Sequence, residues 1–457
     1  MERCSEKVGA FVRGLRLDDI PREVRDKAKL ILLDTLGIAL ASSTMDFGRM
    51  ALDVAAALGG ARESRLIGTS RKVAAANAVL ANGTLAHGLD YDDTLEEAIV
   101  HTGCCGAITA LAVGEAIGAG GKKVLEAVVA GIEVMCKVGL VAPGEFHARG
   151  FHPTALCAPF SAAAAAGKLY GLESSQWVDA FGICGSQSSG IIEYLADGTW
   201  TKRLHPGWSA HGGVIAVLLA RRGFRGPASV FEGRHGFYRA FGADREHDVE
   251  RLSDLGKTWD IHRIAFKSYP CGSISHPYMD CALKLKQKHS FRPDDIEEVV
   301  CRTAEGPVHR LWEPLTEKQR PSTSYGAKFS LPYSVAVMLV RGRAGLEEFS
   351  DKSLHDSQIL SLAGKVRYEL DPTIDYPRHF SGHVRIRLKD GTTLEENQPH
   401  PRGGLESPLP PEEIEGKFRA NAGLALPRDK VEKIISVVRQ LEELASVEEL
   451  TRLLAVQ

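Results

Sequence analysis

Net charge is the first thing this chain lacks. It has 56 Lys and Arg against 58 Asp and Glu, a formal charge of −2. A balance this even argues against a nucleic-acid or acidic-membrane surface as partner, and any cation needed for an anionic ligand has to be local. Long apolar runs are missing too, so no membrane span is expected. The opening stretch MERCSEKVGAFVRGL has no apolar core, so a secretory peptide is not expected and the chain reads as cytoplasmic. Cysteine is sparse and scattered: Cys4, Cys104, Cys105, Cys136, Cys157, Cys184, Cys271, Cys281 and Cys301 are odd in number and sit mostly among apolar neighbours. That pattern fits reduced core thiols, not a disulfide framework. The adjacent pair Cys104–Cys105 lacks the C-x-x-C spacing of zinc or iron–sulfur sites. Nucleotide and hydrolase signatures are also absent: there is no G-x-G-x-x-G after a strand, no G-x-x-x-x-G-K-[ST] loop, no H-E-x-x-H helix and no G-x-S-x-G elbow.

What is present is a set of polar islands in apolar surroundings. The densest is NGTLAHGLDYDDTLEEAIVHTGCCG, residues 82–106, with His87, Asp90, Asp92, Asp93, Thr94 and His101. Four more follow: GFHPTALCAPFSAAAAAGKLYGL with His152, GTWTKRLHPGWSAHGG with Lys202, Arg203, His205 and His211, FKSYPCGSISHPYMD with Lys267, Tyr269 and His276, and AKFSLPYSVAVML with Lys328 and Tyr333. Carboxylates and imidazoles are costly in apolar surroundings unless they are paired or put to use. Together the islands read as a buried pocket of proton-transfer groups and cations.

At 457 residues two or three domains are expected. From Glu23 to about Ala220 the apolar period is helical, as in VRDKAKLILLDTLGIALASS. SSQWVDAFGICGSQSSG opens with Ser174 and Ser175 as helix N-cap candidates. After about Ile261 the texture mixes: DDIEEVVCRTA reads as a strand, HVRIRLKDGTTLEENQ as a hairpin turning at Asp390–Gly391, and CALKLKQKH and SVAVMLVRG as helices. The tail RDKVEKIISVVRQLEELASVEELTRLLAVQ is helical again. The expected fold is mainly α with a smaller α+β domain: residues 1–265 plus 401–457 form a large all-helical domain and 266–400 the smaller one.

Each island also has a structural reading. His87, alone on an apolar helix, reads as a core histidine. Asp92 and Asp93 read equally well as caps of a turn. His152 precedes Pro153 at a helix start, Thr102 is a possible cap beside His101, and Tyr333 lies on an apolar helix. D-x-D-D with nearby histidines is a possible divalent-metal set, but no facial set appears at helical spacing, and no metal is expected.

In order and wording the islands NGTLAHGLDYDDT, GFHPTALCAPFSAAAAAGKLYGL, TKRLHPGWSAHGG, YPCGSISH and AKFSLPY resemble the MmgE/PrpD family over nearly the whole chain. This family includes 2-methylcitrate dehydratases, cis-aconitate decarboxylases and iminodisuccinate epimerases. The resemblance implies a homodimeric, metal- and cofactor-independent lyase of the 2-methylcitrate dehydratase kind, acting on a small di- or tricarboxylate, with decarboxylation or epimerisation as alternatives. It also implies pocket roles for Asp90, Thr94, His101, His152, Lys202, His276 and Tyr333. From chemistry alone, such reactions move a proton at a carbon near carboxylates, so a base near neutral pKa and cationic anchors are required. Histidine suits the first role. Lys202, Arg203 and Lys267 suit the second, Asp90 can orient a histidine, and Tyr333 can donate to a carboxylate or leaving hydroxyl. The loop LEEAIV between Thr94 and His101 departs from the family pattern, and Glu96 and Glu97 would repel a tricarboxylate if they faced it. CGSIS before His276 departs as well, which leaves the exact substrate open. A non-catalytic carboxylate-binding protein would be expected to have lost one of these groups, and every matched position is filled.

Overall fold

The helix Arg22–Ser43 carries Val24, Ala28, Ile31, Leu32 and Leu36 on one face, all fully buried in the computed structural model. The structure describes residues 3–376 and 380–456. Ile31 and Leu32 have turned inward because the apolar period of this segment matches 3.6 residues per turn. Against this helix packs Pro411–Ala422, from the far end of the chain. The two backbones come close at Gly37, where a Cβ would lie 2.9 Å from a Phe418 ring carbon. Lys417 completes the join, with its Nζ 2.8 Å from Asp34 Oδ1 and donating to the Tyr91 carbonyl at 2.7 Å.

By contact density the chain divides into one unit of Met1–Ile264 with Pro410–Gln457 and a second of Ala265–Leu409. The first is built of helices, apart from a two-residue strand pair, Ser64–Arg65 with Lys72–Val73. Its middle is a stack of Ala75–His87 and Pro153–Tyr170, both apolar nearly all round and mostly buried, with Thr201–Ala220, which is buried on one side only. Small residues permit the stacking: a Cβ on Gly207 would sit 2.1 Å from the Leu80 carbonyl oxygen, and one on Gly213 2.4 Å from that of Pro159. Because these crossings are so tight, the helix ends are held in fixed positions, and those ends carry His87, His152, Lys202 and His205.

The second unit holds a four-stranded sheet in the order Val366–Leu370, Ile296–Thr303, Gly382–Leu388, Thr393–Gln398. The first pair is parallel and the others antiparallel, with Cys301 opposite Val384 and Arg385 opposite Glu395. Val384 and Ile386 are buried while Arg385 and Arg387 face outward, the alternation of a sheet with one covered face. The hairpin turns at Asp390–Gly391, where Gly391 has φ 90°, a conformation that favours glycine. His276–Lys288 and Leu331–Arg341 supply the covering helices, with Met279, Cys281, Val335 and Met338 in the shared core. The mainly helical expectation with a smaller α+β part therefore holds.

Some local details differ from the sequence reading. The helix Ser174–Gln187 is capped by Glu173, whose backbone N–H donates to Gln176 Oε1 at 2.9 Å. Ser174 and Ser175 lie inside the first turn instead, because the reciprocal Glu173–Gln176 pair satisfies the exposed donors one residue earlier. Residues 401–409 belong to the second unit, held there by Phe266 N–H donating to the Gly403 carbonyl at 3.0 Å. All nine cysteines are buried free thiols. No single helix among the described residues is long and apolar enough to cross a membrane.

Candidate active site

Immediately after the helix Ala75–His87 the chain enters a tight polar loop. Asp90 takes φ 57°, the left-handed region that aspartate enters more readily than most residues. This turns its carboxylate toward Lys202 in the first turn of Thr201–Ala220, and Lys202 Nζ donates to both Asp90 oxygens at 2.9 Å. The pair is almost fully buried, so each charge is compensated where water cannot solvate it.

Asp93 has a different task. Its carboxylate accepts from the Thr102 hydroxyl at 2.6 Å and from the Thr102 and Gly103 backbone N–H groups at 2.9 Å. It thereby caps the wide helical turn Gly103–Ala107 that follows. Burial, with Asp92 adding to it, pushes its pKa up to about 6. Asp93 is thus the cap, and the Thr102 hydroxyl donates to it instead of capping the turn itself. Lys27, on the helix Arg22–Ser43, lies within electrostatic reach of Asp93, and burial brings its pKa down to about 8.

Three imidazoles meet beside these groups. His101 Nδ1 lies 2.8 Å from the Asp93 carbonyl and 3.2 Å from Thr94 Oγ1. A carbonyl only accepts, so Nδ1 carries the proton, and in the neutral ring Nε2 carries the lone pair. His87 Nδ1 is 2.7 Å from Asp92 Oδ2, which fixes the same tautomer, and its ring centroid is 4.8 Å from that of His101. His152 is the N-cap of Pro153–Tyr170, in the extended conformation that a following proline imposes, φ −80° and ψ 109°. Its ring lies 5.4 Å from His87, and its Nδ1 is 3.2 Å from Nδ1 of His205. Burial lowers the His152 pKa well below the ordinary value, with His87, Lys202, His205 and His101 adding to the effect. The same burial brings His205 down to about 4. His152 and His205 are therefore neutral at physiological pH.

Asp90, Thr94, His101, His152 and Lys202 are thus brought together in the first unit. Arg203, the next residue along from Lys202, turns the other way and lies over the Phe47 ring at 4.3 Å and Trp200 at 5.3 Å. Glu97 forms an ion pair with Arg263, so its charge is compensated locally. Lys267, His276, Lys328 and Tyr333 belong to the second unit, and all four are buried. His276 begins the helix His276–Lys288, and its ring lies 5.2 Å from that of Tyr269, whose hydroxyl donates to Asp280 at 2.8 Å. Tyr333, expected as a donor to substrate, gives its only hydroxyl proton to the Glu348 carbonyl at 2.9 Å inside the second core.

From the sequence His87 reads as a core residue and Asp92 equally well as a turn cap or a site residue. The structure places both in the imidazole cluster. The available signal was His-x4-Asp across a helix end, a spacing that lets a carboxylate fold back onto the ring. Lys27 had no local signal, since it sits on the outward-reading side of an amphipathic helix.

Comparison with known proteins places the chain in a family. A family model described as the MmgE/PrpD N-terminal domain matches residues 6–250, and one described as the MmgE/PrpD C-terminal domain matches residues 269–443. A cis-aconitate decarboxylase from Mus musculus is 29% identical, covering 99% of this chain and 94% of the relative. The cis-aconitate decarboxylase-like protein oryM of Aspergillus oryzae is 27% identical over 97% of this chain and 96% of its own length. A mitochondrial 2-methylcitrate dehydratase from Yarrowia lipolytica is 25% identical over 70% of this chain and 62% of its own length.

Proposed function

The chain belongs to the MmgE/PrpD family, and from that premise we propose that it is a lyase acting on a small tricarboxylate by proton transfer at a carbon next to a carboxylate. The observation that carries this reading is the buried Asp90–Lys202 pair set beside neutral imidazoles. Lys202 anchors a substrate carboxylate, and Asp90 holds the ammonium in place before substrate arrives. His101 and His152 supply lone pairs to take a proton from carbon. In a dehydration the proton leaves one carbon, hydroxide leaves its neighbour with a proton from a second donor, and a C=C bond forms. In a decarboxylation the C–CO2 bond breaks and the same imidazoles, once protonated, deliver the replacing proton. In both cases negative charge builds on the carbon skeleton, and the Lys202 cation stabilises it.

Within this reading the dehydratase and decarboxylase outcomes use one set of groups. Similarity to cis-aconitate decarboxylases favours the second: 27–29% identity over 97–99% of this chain, against 24–25% over 70–89% of it for 2-methylcitrate dehydratases. Incubating the protein with 2-methylcitrate, citrate, cis-aconitate and iminodisuccinate, and identifying products by NMR, separates the outcomes. Absence of turnover on all four would reject the reading. The chemistry needs no metal or organic cofactor, so activity is expected to survive exhaustive chelation.

Self-association is part of the proposal. Met50, Val54 and Leu58 line one exposed face of Asp46–Leu58, while Leu204 and Trp208 are exposed on Thr201–Ala220. Phe47 and Trp200, 6.2 Å apart, connect the two helices. An apolar surface of this kind calls for a cover, and a second copy of the chain supplies one. Light scattering on the Val54→Glu, Trp208→Glu double variant is expected to show a monomer where the parent is a dimer; a monomeric parent would refute the idea.

A further inference from the structure

His87, His101 and His152 each offer one nitrogen, and these three nitrogens lie within 4.8 Å of one another, all buried. They arrive from separate elements: the last residue of Ala75–His87, the end of the polar loop, and the N-cap of Pro153–Tyr170. Each Nδ1 is already engaged by something behind it. For His87 it is the Asp92 carboxylate at 2.7 Å, for His101 the Asp93 carbonyl at 2.8 Å, for His152 the His205 ring at 3.2 Å. The Asp92 and Asp93 oxygens only accept, so in His87 and His101 they place the proton on Nδ1 and make the opposite nitrogen a better ligand, as in the outer shells of metal sites, while the His205 contact orients the His152 ring. Nε2 of His87 is buried and has no hydrogen-bond partner. A buried ring nitrogen with a lone pair and no donor is an uncompensated group.

We propose that His87, His101 and His152 form a three-imidazole site for a divalent cation of the zinc class. The donor chemistry is imidazole nitrogen, which selects zinc, copper and nickel over magnesium or calcium. Local charge allows a dication: Lys202 is already met by Asp90, and Asp92 places a carboxylate directly behind His87. Cys104 Sγ forms a second possible set with His87 and Asp92. A tetrahedral zinc needs ligand nitrogens about 3.4 Å apart, so the rings have to close in slightly when the ion enters.

One consequence rests on the lyase reading given above. His101 and His152 are its proton carriers, and an ion on their lone pairs removes them from catalysis. A zinc-class ion is then an inhibitor, and chelation maintains or raises activity.

The test uses the full, untagged chain, stripped with a chelator and titrated with Co2+ as a spectroscopic probe, then with Zn2+. We expect the intense visible absorption of four-coordinate Co2+ at one equivalent, lost when Zn2+ displaces it. His87→Gln, which keeps side-chain volume and polarity, is expected to weaken Zn2+ binding by at least about 100-fold. Asp92→Asn should weaken it by about 10–100-fold, the usual effect of losing an outer-shell carboxylate. Circular dichroism of each variant confirms its fold, and if His87→Gln fails to fold, His152→Gln takes its place. No stoichiometric binding, undiminished binding in the histidine variant, or a thiolate-to-cobalt charge-transfer band would overturn the site as assigned. Zn2+ binding without turnover of any polycarboxylate leaves the site standing and removes the lyase reading; turnover with no Zn2+ binding does the reverse.

Discussion

At the scale of single residues, the site separates charge from proton transfer. Lys202 and Asp90 form one compensated pair, and the histidines beside them are kept neutral by burial. His101→Ala and His152→Ala should each lower kcat by about 10²–10⁴-fold with the fold intact. Lys202→Ala should also raise KM, because a carboxylate anchor acts in the ground state too. Lys202→Arg should recover only part of the loss, since a guanidinium is bulkier and spreads its charge. Near-normal kcat in both histidine variants would move the proton carrier elsewhere. The pH dependence follows from the direction of the His152 shift. Its folded pKa lies below the ordinary value of about 6.5, so it stays an effective base as pH falls through that value. On a substrate that is dehydrated, with His152 as the base, the acid limb of kcat/KM should therefore lie below pH 6.5, and a limb at or above it would exclude His152 from that role. For folding the sign is opposite to that of a paired histidine. Below about pH 6.5 the unfolded chain takes up a proton that buried His205 refuses until about 4, so this group makes stability fall as pH drops across that window.

Among the secondary-structure elements, helix stacking is the feature on which the site depends. Gly207 lies where Ala75–His87 crosses Thr201–Ala220, and a Cβ there meets the Leu80 carbonyl oxygen at 2.1 Å. Backbone cannot yield as a flexible side chain does, so Gly207→Ala should cost about 3 kcal/mol or more and shift His87 relative to Lys202. Gly416 is a useful contrast. It lies inside Pro411–Ala422 with nothing within 4 Å of its missing Cβ, so Gly416→Ala should stabilise by about 0.5–1 kcal/mol. Thermal unfolding of the two variants checks both signs. Most of these elements could be read from the sequence, because their apolar period and turn residues are local signals. The Arg22–Ser43 helix and the Val384–Ile386 alternation carry such signals. The His152 helix start was equally visible through Pro153. That His101 and His152 share a site is what the polar islands and the family resemblance imply; that His87 joins them was not legible, because it meets them only through glycine-mediated crossings whose partners lie far apart in sequence. Tyr333 shows the reverse failure: its motif position pointed to the site, but only the fold shows that its hydroxyl is used by Glu348.

On the scale of the whole chain, the first unit depends on its two ends meeting, and Asp34–Lys417 is where that can be tested. Both side chains are buried, yet burial raises the Asp34 pKa against the pull of Lys417. Desolvation therefore outweighs pairing, and the pair is a weak source of net stability even though breaking it is costly. Lys417→Met alone should destabilise by about 3–5 kcal/mol, because it strands Asp34 in the core and also removes the donor to the Tyr91 carbonyl. Lys417→Met combined with Asp34→Leu should recover a large part of that loss, since no buried charge is left behind. Denaturant unfolding of both variants separates the cases. A double variant no more stable than Lys417→Met would show that the ion pair itself, and not the apolar contact of Phe418 with the Arg22–Ser43 helix, holds the chain ends together. Because Tyr91 lies between Asp90 and Asp92, the same lysine couples this junction to the site. Lys417→Met should for that reason also lower kcat more than a fold-preserving substitution on the outer face of Pro411–Ala422, such as Glu412→Gln.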